Sequence, residues 1–65
     1  MELSKTHPYA IVQNAGQDNE RVIKRFESYD DAISYLSRNF YDDEIEELGV
    51  DIMGVYENGM MTTEI

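Results

Sequence analysis

The sequence predicts one small α+β domain in which a single helix packs on one face of a four-stranded antiparallel sheet, in the order ββαββ. Apolar residues follow a helical period only between residues 29 and 40. On each side of that stretch, two short segments rich in β-branched and aromatic residues are separated by turn-forming residues. A chain of 65 residues has room for only one domain. We therefore expect a flexible N-terminal arm at residues 1–7 and a two-layer domain at residues 8–65.

The first two strands are predicted from the local residue types. Pro8 disfavours helical backbone at the preceding residue, so the chain should enter the segment Tyr9–Gln13 in an extended conformation. Residues 14–19 are rich in Asn, Asp and Gly and predict a loop. Residues 21–26 alternate in polarity, which is typical of a strand that pairs with the first one. One face of this second strand is expected to carry Val22, Lys24 and Phe26.

The helix is predicted to begin after Ser28, whose hydroxyl can accept a hydrogen bond from the Asp31 amide in a capping box. Asp30 and Asp31 also suit the positive end of the helix dipole. Tyr35 falls beside the apolar stripe and is expected to cover the edge of the sheet. The stripe itself consists of Tyr29, Ala32, Ile33, Leu36 and Phe40.

After Phe40 the apolar stripe loses its phase, because continuing it would bury carboxylates while the next apolar residues lie about 100° further round the helix. This leaves two alternatives. The helix breaks near residues 39–42 and a short second helix, capped by Asp43, runs from Asp42 or Asp43 to Leu48. Otherwise, one bent helix continues through Leu48. In both cases we expect Gly49 to end the helix in a left-handed conformation.

Asn58 and Gly59 predict a two-residue type I′ turn that joins the last two strands. This turn would pair Glu57 with Met60, Tyr56 with Met61, Gly54 with Thr63 and Ile52 with Ile65. One face of the hairpin would then collect Val50, Ile52, Tyr56, Met61 and Ile65. The other face would mix charged residues with Met53, Val55 and Met60. We expect this outer face of the sheet to lack a covering layer.

Charge is the strongest compositional feature of the chain. There are 14 acidic and five basic residues, a net charge of −9, and no lysine or arginine falls between Asn39 and Ile65. Five of the six residues from Asp42 to Glu47 are acidic. This charge makes nucleic acids and anionic membranes poor direct partners.

No apolar run approaches the length of a membrane span, and the first residues lack the apolar core of a signal peptide, so we expect a cytoplasmic location.

The residues also argue against catalysis and against a cofactor. The chain has no cysteine and its only histidine is His7, which excludes thiolate and paired-histidine metal sites. The acidic run lacks the central glycine of a calcium-binding loop. No serine lies in a nucleophile-elbow context. We therefore predict a protein that is not an enzyme and that carries no cofactor and no metal ion.

In size, density of acids and lack of cysteine, the chain resembles the small acidic inhibitors that phages and mobile elements encode, some of which mimic DNA in charge. This resemblance is one of composition and involves no motif. It implies a non-catalytic interaction protein that docks on a basic surface, as found on nucleic-acid-binding proteins. The alternative is a regulatory or structural homodimer that pairs through the outer sheet face, with its acids serving solubility. The predicted partner-binding residues are Tyr41, Asp42, Asp43, Glu44, Glu46, Glu47 and Asp51.

Overall fold

The computed structural model describes residues 2–64 and confirms the predicted α+β class and order of elements. The four strands form one antiparallel sheet in the order β2-β1-β3-β4. Both helices pack on the same face of this sheet, which we call the helix side. The elements are β1 (Tyr9–Gln13), β2 (Arg21–Phe26), α1 (Tyr29–Asn39), α2 (Asp42–Leu48), β3 (Asp51–Val55) and β4 (Met61–Thr62).

A β-bulge in β2 corrects the predicted face of that strand. Ile11 is paired with Lys24, but the next residue, Val12, is paired with Val22, which leaves Ile23 as the extra residue. The bulge lets Ile23 pack against the helix-side core. Lys24 and Val22 are paired with consecutive residues of β1, which point to opposite faces of the sheet, so the prediction that Val22 shares a face with Lys24 is wrong.

Helix α1 begins as predicted, with the Ser28 hydroxyl oxygen accepting the Asp31 amide at 3.1 Å. Fewer residues of the predicted apolar stripe are buried than expected. Ala32 is fully buried, whereas Tyr29 and Ile33 are 42% and 43% exposed. The helix is turned so that Tyr35 packs on the edge strand instead, with its ring centroid 5.3 Å from that of Phe26. This confirms the prediction that Tyr35 covers the edge of the sheet.

Between the two helices the backbone is extended at Phe40 and Tyr41, where φ is −135° and −84°. The broken helix is therefore confirmed and the single bent helix is wrong. The predicted cap at Asp43 is also wrong. Helix α2 begins at Asp42, which is one of the two predicted starts, and its N-cap is Tyr41, whose amide donates to the Glu44 carboxylate at 3.1 Å.

Gly49 ends α2 with φ of 64°, as predicted. Its amide donates to the Glu46 carbonyl oxygen at 3.4 Å, and the Val50 amide donates to the Ile45 carbonyl oxygen at 2.9 Å. These two bonds form a Schellman motif, in which a left-handed residue lets the chain fold back over the last helical turn. Ile45 and Val50 both lie in the helix-side core, so the cap also closes an apolar contact.

The β3–β4 hairpin differs from the prediction by one residue. The paired residues are Val55 with Met61 and Gly54 with Thr62, so the loop has three residues, Glu57–Gly59. Gly59 alone in this loop has a positive φ, at 89°. A type I turn followed by one left-handed residue is the usual three-residue hairpin loop, and it does not need positive φ at the preceding asparagine.

This register moves Met61 to the outer face of the sheet, because paired residues share a face. Met61 packs there against a second core cluster rather than beside Ile52 on the helix side. The predicted pair of Ile52 with Ile65 lies outside the described residues. The second cluster consists of Ala10, Val12, Met53 and Val55.

The outer face is buried, so the expectation that it lacks a covering layer is wrong for this cluster. Met53 and Val55 are 6% and 3% exposed, whereas Met60, the third apolar residue predicted for this face, is 62% exposed. Arg25, which is paired with Ala10 and therefore lies on this face, donates two hydrogen bonds to the His7 carbonyl oxygen, at 2.7 and 3.2 Å. These two bonds tie the segment before β1 to strand β2.

The described part of the predicted N-terminal arm pairs with the end of β3. The Ser4 amide donates to the Val55 carbonyl oxygen at 2.7 Å, and the Glu57 amide donates to the Glu2 carbonyl oxygen at 3.1 Å. Leu3 forms an isolated bridge with Tyr56 between these two bonds. Residues 2–4 thus pair with the residues that follow Gly54, on the same side of β3 as β1. The chain between Ser4 and Pro8 forms a loop, because both of these residues bind the backbone of Val55.

Candidate interaction surface on helix α2

Helix α2 is attached to the rest of the molecule along one side only. Ile45 and Leu48 are half-buried and pack against the helix-side core. The loop after β1 holds the end of the helix, since the Asn14 amide donates to the Leu48 carbonyl oxygen at 3.1 Å and the Ala15 amide to that of Gly49 at 3.2 Å. The opposite side of α2 faces solvent.

That solvent side carries the five carboxylates of α2, which we call the acidic surface: Asp42, Asp43, Glu44, Glu46 and Glu47. All are exposed except Glu44, which is half-buried. Asp42 and Glu46 are four residues apart, as are Asp43 and Glu47, so each pair lies on adjacent turns. The structure therefore brings these predicted residues together on one short helix.

Several of the predicted carboxylates already accept backbone hydrogen bonds. Asp43 Oδ1 accepts the Glu44 amide at 3.0 Å, and Glu44 Oε1 accepts the Tyr41 amide. Within the described chain, Asp42, Glu46 and Glu47 accept no hydrogen bond through their side chains. These three carboxylates are therefore free to meet donors from another molecule.

The positive charges lie elsewhere in the fold. Three of the five basic residues are on β2 and one is on α1, and none follows Arg38 in the sequence. The Lys24 ammonium lies over the rings of Tyr35 and Phe26, 5.1 and 5.6 Å from their centroids. The guanidinium of Arg25 binds the His7 carbonyl. The acidic surface consequently has no base on its own helix or in the segment that follows it.

The two remaining predicted site residues are placed differently. Tyr41 directly precedes α2 and is 77% exposed, so its ring is not packed in the core beneath the helix. Asp51 is paired with Val12, whose side chain lies in the outer cluster. Because α2 is on the helix side, the sheet separates the Asp51 side chain from the acidic surface. Asp51 Oδ1 accepts the amide of Ile52 at 2.8 Å.

Sequence reasoning missed one exposed apolar pair. Tyr29 and Ile33 belong to the predicted buried stripe, yet both project partly into solvent one turn apart on α1. The Tyr29 ring lies 5.7 Å from that of Tyr9, so an aromatic contact supports the exposed end of the pair. The helical period of the sequence cannot predict this exposure, because it does not show how much of the helix surface contacts the sheet.

Residues 2–64 enclose no pocket. Across the same range, no group of three or more His, Asp or Glu side chains is placed to hold a metal ion. None of the helices in the described part of the chain is long and apolar enough to cross a membrane.

Comparisons with protein-family models, curated proteins and solved structures find no match to this chain. Any functional interpretation therefore rests on the geometry of the molecule itself.

Proposed function

We propose that this chain is a non-catalytic interaction protein that docks the acidic surface of α2, with Tyr41 beside it, on a basic surface of another protein. The observation that carries this proposal is the grouping of exposed carboxylates on one anchored helix that has no base of its own. Such a surface attracts a cationic partner over a distance and accelerates association. The location we propose for this complex is the cytoplasm.

The repulsion among the carboxylates of α2 lowers the stability of the chain, and this supports a functional role for them. Like charges four residues apart destabilise a helix by about 0.2–0.5 kcal/mol per pair, and α2 has two such pairs. Glu46 and Glu47 also lie near the C-terminal end of α2, where the helix dipole disfavours negative charge. A small domain has little stability to spare. A basic partner would relieve this repulsion on binding.

A nucleic-acid-binding protein is the partner class that we propose. Proteins of this class carry surfaces lined with Lys and Arg that bind a dense row of phosphates. A helix that presents several carboxylates within a few turns offers charges of the same sign to the same donors. The protein would then act as an inhibitor that competes with DNA or RNA, as in the phage-encoded inhibitors that it resembles in composition.

The proposal is tested by capturing partners from a host lysate with the whole chain as bait. One variant neutralises four carboxylates of α2 (Asp42→Asn, Asp43→Asn, Glu46→Gln and Glu47→Gln). The control neutralises four exposed acids elsewhere (Asp18→Asn, Glu27→Gln, Asp30→Asn and Glu57→Gln). Both variants have a net charge of −5, because four of the charges that make up −9 are removed. Only the α2 variant should lose the partner.

Two further readings complete the test. Binding should weaken strongly when the salt concentration is raised to about 0.5 M, where the Debye length falls below 5 Å. Added duplex DNA should compete with the chain for the captured protein. The proposal fails if both neutralised variants bind equally well, or if binding is unchanged by salt. The alternative, a homodimer through the outer face, gains no support from a face whose central residues are buried.

A further inference from the structure

The tip of the β3–β4 hairpin contains an asparagine that is followed by a glycine. Asn58 and Gly59 are both exposed. Gly59 has no Cβ, and even an added Cβ would meet no atom within 4 Å. Its backbone nitrogen is therefore the least hindered of the four that follow an asparagine in this chain. The other asparagines, at positions 14, 19 and 39, precede Ala15, Glu20 and Phe40.

The loop also polarises the Asn58 side chain. The Met60 amide donates a hydrogen bond of 3.0 Å to Asn58 Oδ1. A donor on this oxygen draws electron density from the side-chain carbonyl carbon and would stabilise negative charge that develops on the oxygen during a nucleophilic attack. The nucleophile itself is held back, because the Gly59 amide donates to the Tyr56 carbonyl oxygen at 2.9 Å.

We propose that Asn58 is a site of spontaneous covalent modification, at which asparagine is converted into aspartate and isoaspartate. The Gly59 nitrogen loses its proton to water or hydroxide and forms a bond to Asn58 Cγ. The bond from Cγ to Nδ2 breaks, and ammonia leaves. Water then opens the resulting cyclic imide at either of its two carbonyl carbons. The net reaction consumes one water and releases one ammonia, with no change of oxidation state.

The product changes both the charge and the backbone of the hairpin. One neutral amide becomes a carboxylate, so the net charge goes from −9 to −10. In isoaspartate the main chain runs through Cβ and Cγ, which lengthens the three-residue loop by one carbon. That loop sets the pairing of Val55 with Met61, and β4 has only two residues. We expect isoaspartate to release β4 from the sheet before any other strand.

The experiment incubates the purified whole chain at mildly alkaline pH and follows each asparagine by peptide mapping and mass spectrometry. We expect Asn58 to acquire the mass of the acid while Asn19 and Asn39 retain their amides. Isoaspartate at this position is identified by enzymatic carboxyl methylation. Amide hydrogen exchange of the converted fraction should show lost protection at Met61 and retained protection in β1.

Two variants separate this mechanism from ordinary hydrolysis. Gly59→Ala places a methyl group beside the nucleophile and should slow the conversion strongly. Asn58→Gln should stop it, because its imide would need a larger ring. Conversion should also be faster in urea, where the bond from Gly59 to Tyr56 is lost. The proposal is overturned if Asn19 or Asn39 converts as fast as Asn58, or if Gly59→Ala converts at the same rate as the parent chain.

Discussion

The backbone amide of Asn14 donates a hydrogen bond of 3.1 Å to the carbonyl oxygen of Leu48, which joins the loop after β1 to the last turn of the acidic helix. Gly49 follows directly and packs against the same loop. A Cβ added to Gly49 would lie 3.4 Å from Asn14 Cα. The end of α2 is thus positioned by the backbone of this loop and by one left-handed residue.

Gly49→Ala should therefore destabilise the protein. The left-handed backbone at this position costs an L-residue with a Cβ about 1–2 kcal/mol, and the contact with Asn14 adds to that cost. Urea denaturation measures the loss of unfolding free energy. Gly49→Asn is the matched comparison, because asparagine tolerates left-handed backbone, and it should lose clearly less. Equal losses for the two variants would contradict the role of backbone conformation.

The charge pattern of α2 predicts a stabilising substitution. Glu47→Lys removes a like-charge pair with Asp43, replaces it with an attractive pair and places a positive charge near the C-terminal end of the helix. Together these changes should raise the free energy of unfolding by about 0.5–1.5 kcal/mol at low salt. High salt should reduce the gain, since it screens exposed charges.

The control for this substitution is Glu64→Lys, which changes the net charge equally at an exposed position outside the helices. It should relieve only general repulsion and give a smaller gain. If it stabilises the chain as much as Glu47→Lys, the rise in the free energy of unfolding comes from the change in net charge and not from the position of the charge on α2. The same pair of variants also separates stability from binding, because only Glu47→Lys should weaken capture of a basic partner.

The edge strand β2 carries a testable cation–π contact. The Lys24 ammonium lies 5.1 Å from the ring centroid of Tyr35. A double-mutant cycle with Lys24→Met and Tyr35→Leu should give a coupling energy of about 0.5–1 kcal/mol, as expected for an exposed contact of this kind. Arg21→Met combined with Tyr35→Leu is the comparison on the same strand. A coupling near zero for the Lys24 pair would mean that the contact contributes no stability.

Local residue types were sufficient to predict most of the elements. Pro8 and the loop rich in Asn and Gly delimit β1, and Ser28 places the start of α1. The loss of apolar phase after Phe40 predicted the break between the helices, because burying the next carboxylates would cost more than bending the chain. These signals act over a few residues, so they can be interpreted before the fold is known.

The register of the last hairpin required long-range information. Asn58 and Gly59 are compatible with a two-residue or a three-residue loop. The choice depends on where Met61 is buried, and its position in the outer cluster beside Met53 depends on contacts with a distant strand. The burial of the outer cluster likewise requires β1 and β3, which are distant in the sequence, to bring Ala10 and Val12 beside Met53 and Val55. The acidic surface is a local feature, but its partner stays a prediction.

The burial of the outer face gives a prediction that distinguishes a core from an interface. Met53 is 6% exposed and Met60 is 62% exposed, although the two methionines belong to the same hairpin. Met53→Ala should lower the free energy of unfolding by about 2–5 kcal/mol, the usual cost of truncating a buried methionine. Met60→Ala should change it by less than about 0.5 kcal/mol. Urea denaturation measures both, and light scattering before denaturation reports the oligomeric state. If Met53→Ala instead left stability unchanged and converted a dimer into a monomer, the outer face would be an interface between copies, as the alternative function requires.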